Sequence, residues 1–328
     1  MFVIKKRNFL TRTLMTALAL SAGSLAWSQE WPAKTITILV PQPAGTIQDL
    51  VARALGDELS RALKQPVVVD NRPSASQIIA SNFLARSAPD GYTLMVSAMP
   101  NAIAPNLLKS QTYAGNQDFT VISHSLSIAG LLTVSPQIPA NNLKEFIALL
   151  KANPDKYMYA SAGVGTPLHM FLEQFNRDAG TVSVHIPYKS FPMIIPDVTT
   201  NTVHYSLLPT SMLQLAKEGK VKILGFAGPK RDPQMPDIPT LDEQGLKGFD
   251  ASIQYFVIGP NGMPADVVNK LNAAINIIQA KDTFHAKFKA LGGFTIPQNV
   301  SPAQAAASLK REDERYAPLL KEGRIKFE

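Results

Sequence analysis

The sequence predicts an α/β protein of two lobes, each a mainly parallel sheet flanked by helices. Three observations carry this. The chain has 328 residues, enough for two domains or one large one. Short strand patterns alternate with helical patterns across short connections, which implies parallel sheets covered on both faces. The alternation breaks near residues 115–130 and then resumes, so the units fall into two sets.

The first residues stand apart from this pattern. Lys5, Lys6, Arg7 and Arg12 precede an apolar stretch from Leu14 to Leu20, and Ala26-Trp27-Ser28 has the small-x-small form of a cleavage site. Residues 1–28 therefore read as a secretory signal peptide, with the mature chain starting at Gln29 in the periplasm. The apolar stretch is too short to span a bilayer. Cysteine is absent, so no lipid can be attached and no disulfide can form.

Hydrophobic residues make up 45% of the chain and charged residues 17%, which suits packed cores rather than disorder. The formal charge is +7, and the leader holds four of those positives, leaving +3. With no Lys/Arg run, nucleic acid is not an expected partner.

Thr35 to Val40 alternates and reads as the first strand, Pro41 to Gly45 as a turn. Leu50, Val51, Ala54, Leu55, Leu59 and Leu63 fall at helical spacing. Val67 to Val69 is the next strand, 75–86 a helix, and Tyr92 to Val96 a strand after a Pro-Asp-Gly turn. After the break come strands at 131–134 and 157–160 with helices at 143–151 and 168–178. Strands at 183–186, 203–207 and 222–226 follow, then a Pro-rich excursion from Gly228 to Gly248. A strand at 253–258 returns the chain, and a helix at 265–280 precedes two more separated by Gly292-Gly293. The expected domains are 29–125 plus 225–328, and 126–224, with the last helices able to pack on either.

Catalytic motifs are missing. The five histidines make no HxxxH or HExxH pair, and there is no GxSxG elbow or GxxxxGK[ST] loop. Gly163-Val164-Gly165 lacks the third glycine of a dinucleotide fingerprint. No cofactor or metal is predicted.

What recurs is a loop that leaves a strand and enters a helix with strong start signals. In 41–49, Thr46 and Asp49 form a Thr-x-x-Asp start. In 70–77, Ser74 and Gln77 match a capping box. In 161–167, Thr166 is placed to cap and Pro167 sits at the first helical position. Helix starts expose N–H groups and a positive dipole end, which favour carboxylate or phosphate. Ala44, Gly45, Ser74, Ala75, Ser161, Ala162 and Gly163 are small enough to let a ligand reach the backbone. Asp49 reads as a helix-start acid, Arg72 as the brace of a turn, Lys189 as a strand-end cation at the rim, and Tyr188 as a pocket wall.

At these residues the chain resembles the substrate-binding receptors of tripartite tricarboxylate transporters, the Bordetella uptake proteins. The resemblance runs from Trp31 to the C-terminus. It is carried by WPAKTITILVPQPAG (31–45), DNRPSAS (70–76), APDGYTLMVS (88–97), YASAGVGTPLH (159–169), IPYKS (186–190), PQMPDIPTLDEQGLKGF (233–249) and GPNGMPADVVNKLN (259–272). It implies a periplasmic-binding-protein-like flytrap: a receptor, not an enzyme, acting as a monomer that hands a small organic carboxylate to large and small integral membrane subunits. Carried over, Ala44, Gly45, Thr46, Ser161, Gly163, Gly165 and Thr166 hold one carboxylate. Ser74, Ala75, Ser76, Gln77, Ser97, Ala98, Tyr188 and Lys189 line the rest.

The chain departs from the family where glycines are usual. Thr46 follows Ala44-Gly45, Ser74-Ala75-Ser76-Gln77 replaces a Gly-Ala-Gly-Gly run, and Ser190 follows the PYK turn. These changes add side-chain volume and imply a di- or aromatic carboxylate rather than a citrate-like ligand. A sensor of the same fold serving a signalling partner, and a carboxylate-processing enzyme, are the alternatives; a Ser–His–acid cluster in three dimensions is what the second requires.

Overall fold

Burial explains where the first sheet begins. Ile36–Val40 (β1) places Ile36, Ile38, Leu39 and Val40 entirely out of solvent. Two buried faces give a strand covered on both sides, each such side chain contributing roughly 1.5–3 kcal/mol. The computed structural model describes residues 30–74, 77–98, 115–189 and 191–325. The leader, Ala75 and Ser76 lie outside the described residues.

From Lys34 onward the chain forms one compact unit. β1 leads to Ile47–Leu63 (α1), Val67–Asn71 (β2), Ile78–Ala85 (α2) and Thr93–Ser97 (β3). Phe119–Ile128 (β4) follows, then Leu131–Val134 (β5), Leu143–Ala152 (α3), Met158–Ser161 (β6), Pro167–Ala179 (α4) and Val184–Pro187 (β7). Phe191–Thr200 (α5), Tyr205–Leu208 (β8), Met212–Lys217 (α6) and Lys222–Phe226 (β9) complete this set. Ile253–Pro260 (β10), Ala265–Gln279 (α7), Asp282–Ala286 (α8), Phe294–Thr295 (β11) and Pro302–Lys321 (α9) close the chain.

The strands form two sheets flanked by helices, the α/β architecture expected. One is ordered β11-β4-β10-β3-β1-β2, the other β7-β6-β8-β5-β9. Both are mixed. β1 runs parallel to β2 and β3, and β6 to β7 and β8. β10 lies antiparallel between β3 and β4, and β5 antiparallel between β8 and β9. Parallel pairing needs a crossover helix, and β10 and β5 are strands by which the chain passes between sheets instead.

The chain passes from the first sheet to the second at Ala129-Gly130 and returns through 227–252. Ala129 N–H donates to Gly293 O at 2.9 Å and Ala227 N–H to Gly130 O at 2.9 Å, so the two passages lie side by side. α9 spans both cores: Leu309 packs with Leu39, Met95 and Phe256 beside the first sheet, Tyr316 and Leu319 with the core of the second.

Four elements escaped the sequence reading: α5, α6, β4 and β11. α5 carries Pro196 in its interior, a residue that normally ends a helix. β4 falls where the alternation breaks and sits between β11 and β10, and its partner β10 lies more than a hundred residues away.

Candidate functional site

The loop after β1 is built around one carboxylate. Asp49 is buried at 3% exposure. Its Oδ2 accepts from Gly45 N–H and from Arg53 Nε, both at 2.9 Å, and its Oδ1 from Asn71 Nδ2 at 2.9 Å. Burial alone would raise its pKa, but the bonds from Arg53, Gly45 and Asn71 win and hold it below the usual range. Asn71 also donates to Gln42 O at 3.1 Å, tying the β1 loop to the end of β2. Gly45 takes φ 84° with open space about its α-carbon. Asp49 therefore folds the loop rather than facing a ligand.

Thr46 caps α1, its Oγ1 accepting from Asp49 N–H at 3.4 Å and donating to Pro43 O at 2.9 Å. That leaves the N–H groups of Ile47 and Gln48, in the first turn, with no carbonyl one turn back.

The loop after β6 repeats the device. Thr166 caps α4 with Pro167 at its start, the Thr166 Oγ1 accepting from His169 N–H at 3.5 Å and donating to Gly163 O at 2.7 Å. Leu168 N–H is left unclaimed by the helix. Gly163 has φ 118°, a conformation side chains rarely adopt, and a β-carbon there would sit 3.7 Å from Tyr188 O. Tyr188 N–H donates to Ser161 O at 2.8 Å. So Ser161, Gly163, Gly165, Thr166 and Tyr188 are brought together.

Two histidines behind this loop were not singled out by sequence. Gly165 N–H donates to His169 Nδ1 at 3.1 Å, which requires that nitrogen to be unprotonated. His185 Nε2 lies 2.6 Å from Ser161 Oγ. Burial pushes the His169 pKa down to about 3, helped by the neighbouring His185, and burial pushes His185 to about 4. Both rings are neutral near pH 7. His185 and Tyr159 stack at 4.9 Å, and the Tyr159 hydroxyl donates to Glu173 Oε1 at 2.5 Å.

Ser161 and His185 are two members of a nucleophile–base set. Among the described residues no carboxylate bonds either imidazole, and Ser161 has no exposed surface. The Ser161 hydroxyl also accepts from Gly163 N–H at 3.2 Å, so the pair ties the loop to β7. Among the described residues there is also no group of three His, Cys, Asp or Glu placed to hold a metal.

The remaining sequence-selected residues separate. The Tyr188 hydroxyl donates to Asp197, and burial with that carboxylate raises its pKa to about 12. Lys189 is exposed. Arg72 pairs with Asp70 at 2.9 Å and lies over the Phe83 ring at 3.8 Å, a brace as expected. Ser97 is buried at the end of β3, beside Ala98.

The second loop departs from the capping box read in the sequence. The helix begins at Ile78 instead of Ala75, and Gln77 precedes it in the left-handed region, φ 61°, making no side-chain cap bond. Ser74 Oγ instead accepts from Ile79 N–H at 3.0 Å. A left-handed residue cannot occupy the helical third position that a box requires. The Gln77 side chain is buried and accepts from Gln48 Nε2 at 3.2 Å.

The two sheets meet at a cavity of about 10 Å³, near the lower limit for one water. Ala98 from the end of β3 and Pro167 from the start of α4 both line it, with Gln254, Phe256, Glu312 and Tyr316. Glu312 Oε1 accepts from Gln254 Nε2 at 2.8 Å and pairs with Arg315 at 3.2 Å. Burial nevertheless raises its pKa to about 7. Its sequence signal was hidden in the charged run of α9.

Comparison with known proteins places these features in a group. Residues 51–323 match the model of the tripartite tricarboxylate transporter family receptor. The protein BugT of Bordetella pertussis is 31% identical over 297 residues, covering 89% of this chain and 90% of BugT. The solved periplasmic binding protein BugD is 30% identical at a TM-score of 0.71, covering 90% of this chain and 99% of BugD. MatC from Rhodopseudomonas palustris, solved with bound malate, is 28% identical with a TM-score of 0.71 over 88% of this chain and 100% of MatC. An R. palustris protein solved with adipate is 25% identical with a TM-score of 0.72 over 89% of this chain and 98% of its own. Among the described residues no helix is long and apolar enough to cross a membrane.

Proposed function

We propose that this chain, which belongs to the tripartite tricarboxylate transporter receptor family, captures a small di- or aromatic carboxylate and delivers it to integral membrane transporter subunits. It is a solute-binding receptor of the periplasmic type. The observation that carries the ligand reading is the pair of capped helix starts at Thr46 and Thr166, each following a glycine-bearing loop at the carboxyl end of a strand. Backbone N–H groups of Ile47, Gln48 and Leu168 supply donors, and the helix dipoles favour an anion without a buried lysine. The malate and adipate held by two structural neighbours support a carboxylate as the class.

Capture is read as closure of the two sheets' lobes about the passages at 129–130 and 227–252, in a monomer exported by removal of residues 1–28. Binding itself performs no chemistry. A thermal-shift screen over citrate, malate, adipate and benzoate tests the reading. A ligand at about 100 times its dissociation constant adds about 2.7 kcal/mol of stability. Small-angle scattering with the best ligand then tests closure: a smaller radius of gyration is expected, and an unchanged one with saturated sites overturns it. Failure of every carboxylate to raise the melting temperature overturns the ligand class.

A further inference from the structure

Gln77 stands in a conformation that suits glycine, with φ 61° and ψ 11°. A β-carbon makes that backbone costly, so a buried glutamine persists there only if surrounding contacts hold it. The contact is Gln48, the second residue of α1. Both side chains are buried, each residue at 5% exposure.

Their orientation follows from donor and acceptor chemistry. Gln48 Nε2 lies 3.1 Å from Val96 O, and a carbonyl only accepts, so this end of Gln48 must be its NH₂. The same nitrogen lies 3.2 Å from Gln77 Oε1, which therefore must be the oxygen. Two atoms are left over: Gln48 Oε1, an acceptor, and Gln77 Nε2, a donor of two protons. Neither has a hydrogen-bond partner among the described residues, and neither is among the sealed, partnerless side-chain atoms there. Both thus keep bonding capacity for a solute that reaches them.

The pair sits where the β1 loop, the β2 loop and the end of β3 converge. Gln48 is in the first turn of α1, Gln77 at the entry to α2, and Val96 precedes Ser97. No charged side chain is bonded to either amide among the described residues.

We infer that Gln48 and Gln77 are specificity-determining residues that select a carboxylate bearing a hydroxyl or carboxamide. This rests on the carboxylate reading above and names the substituent. A hydroxyl or amide both donates and accepts, so it can meet Gln48 Oε1 and Gln77 Nε2 together. A bare hydrocarbon leaves both amide atoms desolvated and unpaired. An ionised carboxylate satisfies Gln77 but sets its charge against the oxygen of Gln48.

The test uses ligand pairs that differ by one hydroxyl, 4-hydroxybenzoate against benzoate and malate against succinate, in calorimetry on the full mature chain. In at least one pair the hydroxylated member binds about ten-fold more tightly or better. In Gln77→Gly, where glycine accepts the left-handed backbone and the fold is checked by circular dichroism, that ratio falls to about two-fold or less. Gln48→Met, an independent removal of the same pair, gives the same collapse. Equal binding of both members of both pairs, or an unchanged ratio in the two variants, overturns the inference and leaves the carboxylate reading standing. Absence of binding by every carboxylate overturns both.

Discussion

His169 and His185 lie face to face, with ring centroids 3.9 Å apart and planes 9° from parallel. One accepts from Gly165 N–H, the other contacts the Ser161 hydroxyl, so the stack supports both ends of the 161–165 loop. Two cations cannot occupy this geometry, and burial holds both pKa values below 6.5, near 3 and 4. The unfolded chain takes up protons below about 6.5 that the native state refuses. The stabilisation is therefore complete above that pH and is lost as pH falls through about 4. Imidazole resonances of both rings are expected to stay flat from pH 8 to pH 5. Titration of either near 6.5 in the folded protein overturns this assignment.

Thr166→Ala removes the cap of α4 and is expected to cost about 1 kcal/mol in urea unfolding. Gly163→Ala is stricter, because φ 118° is closed to a β-carbon whatever the space around it. The expected strain of about 1–3 kcal/mol distorts the loop, and carboxylate affinity falls more than about ten-fold. Wild-type affinity in Gly163→Ala would show that the loop does not set the anion site.

Gly130 marks the first passage between the sheets. A β-carbon there would come within 2.7 Å of Leu208 O, a backbone atom that cannot turn aside. Gly130→Ala is expected to destabilise by about 1–3 kcal/mol. Gly56, inside α1, is the contrast: its added methyl would meet Val67 Cγ1 at 3.5 Å, ordinary contact. Gly56→Ala should gain about 0.5–1 kcal/mol from helix propensity. Equal effects at the two sites in chemical denaturation would contradict the packing described.

Glu312 titrates in the opposite sense to the histidines. Burial raises its pKa to about 7, against the attraction of Arg315 and with the nearby Asp250 and Asp313 acting in the same direction as burial. Between about 4.5 and 7 the native carboxyl holds a proton the unfolded chain has released. Its contribution is full below about 4.5 and lost as pH rises through 7. Glu312→Gln abolishes this, so the variant's melting temperature should gain on the wild type's from pH 5 to pH 8. Parallel curves would count against it. Between 4.5 and 6.5 the carboxyl and the histidines oppose each other, so single variants are needed to separate them.

Local signals made much of this protein readable. Period-two and helical patterns placed β1, α1, β5, α3, β9 and α7 within a few residues, because burial of one face is written into each segment. Thr46 and Thr166-Pro167 were legible as helix starts, since a cap acts over three residues. The leader, Ala75, Ser76 and Ser190 fall outside the described residues. Ser74 and Gln77 misled, because a Ser-x-x-Gln spacing is shared by a true box and by a loop that enters its helix through a left-handed residue.

The sequence by itself determined most of the elements, the two βα series and the capped loops at Thr46 and Thr166. Only the tertiary structure decided which polar groups meet. Ser161 finds His185 across 24 positions, Gln48 finds Gln77 across 29, and Gln254 finds Glu312 across 58. The antiparallel seating of β10 between β3 and β4 was equally out of reach. Periodicity and capping are local energies that a short segment carries alone. The partner of a buried polar group is chosen by which strands lie side by side, and that is settled only when the whole core closes.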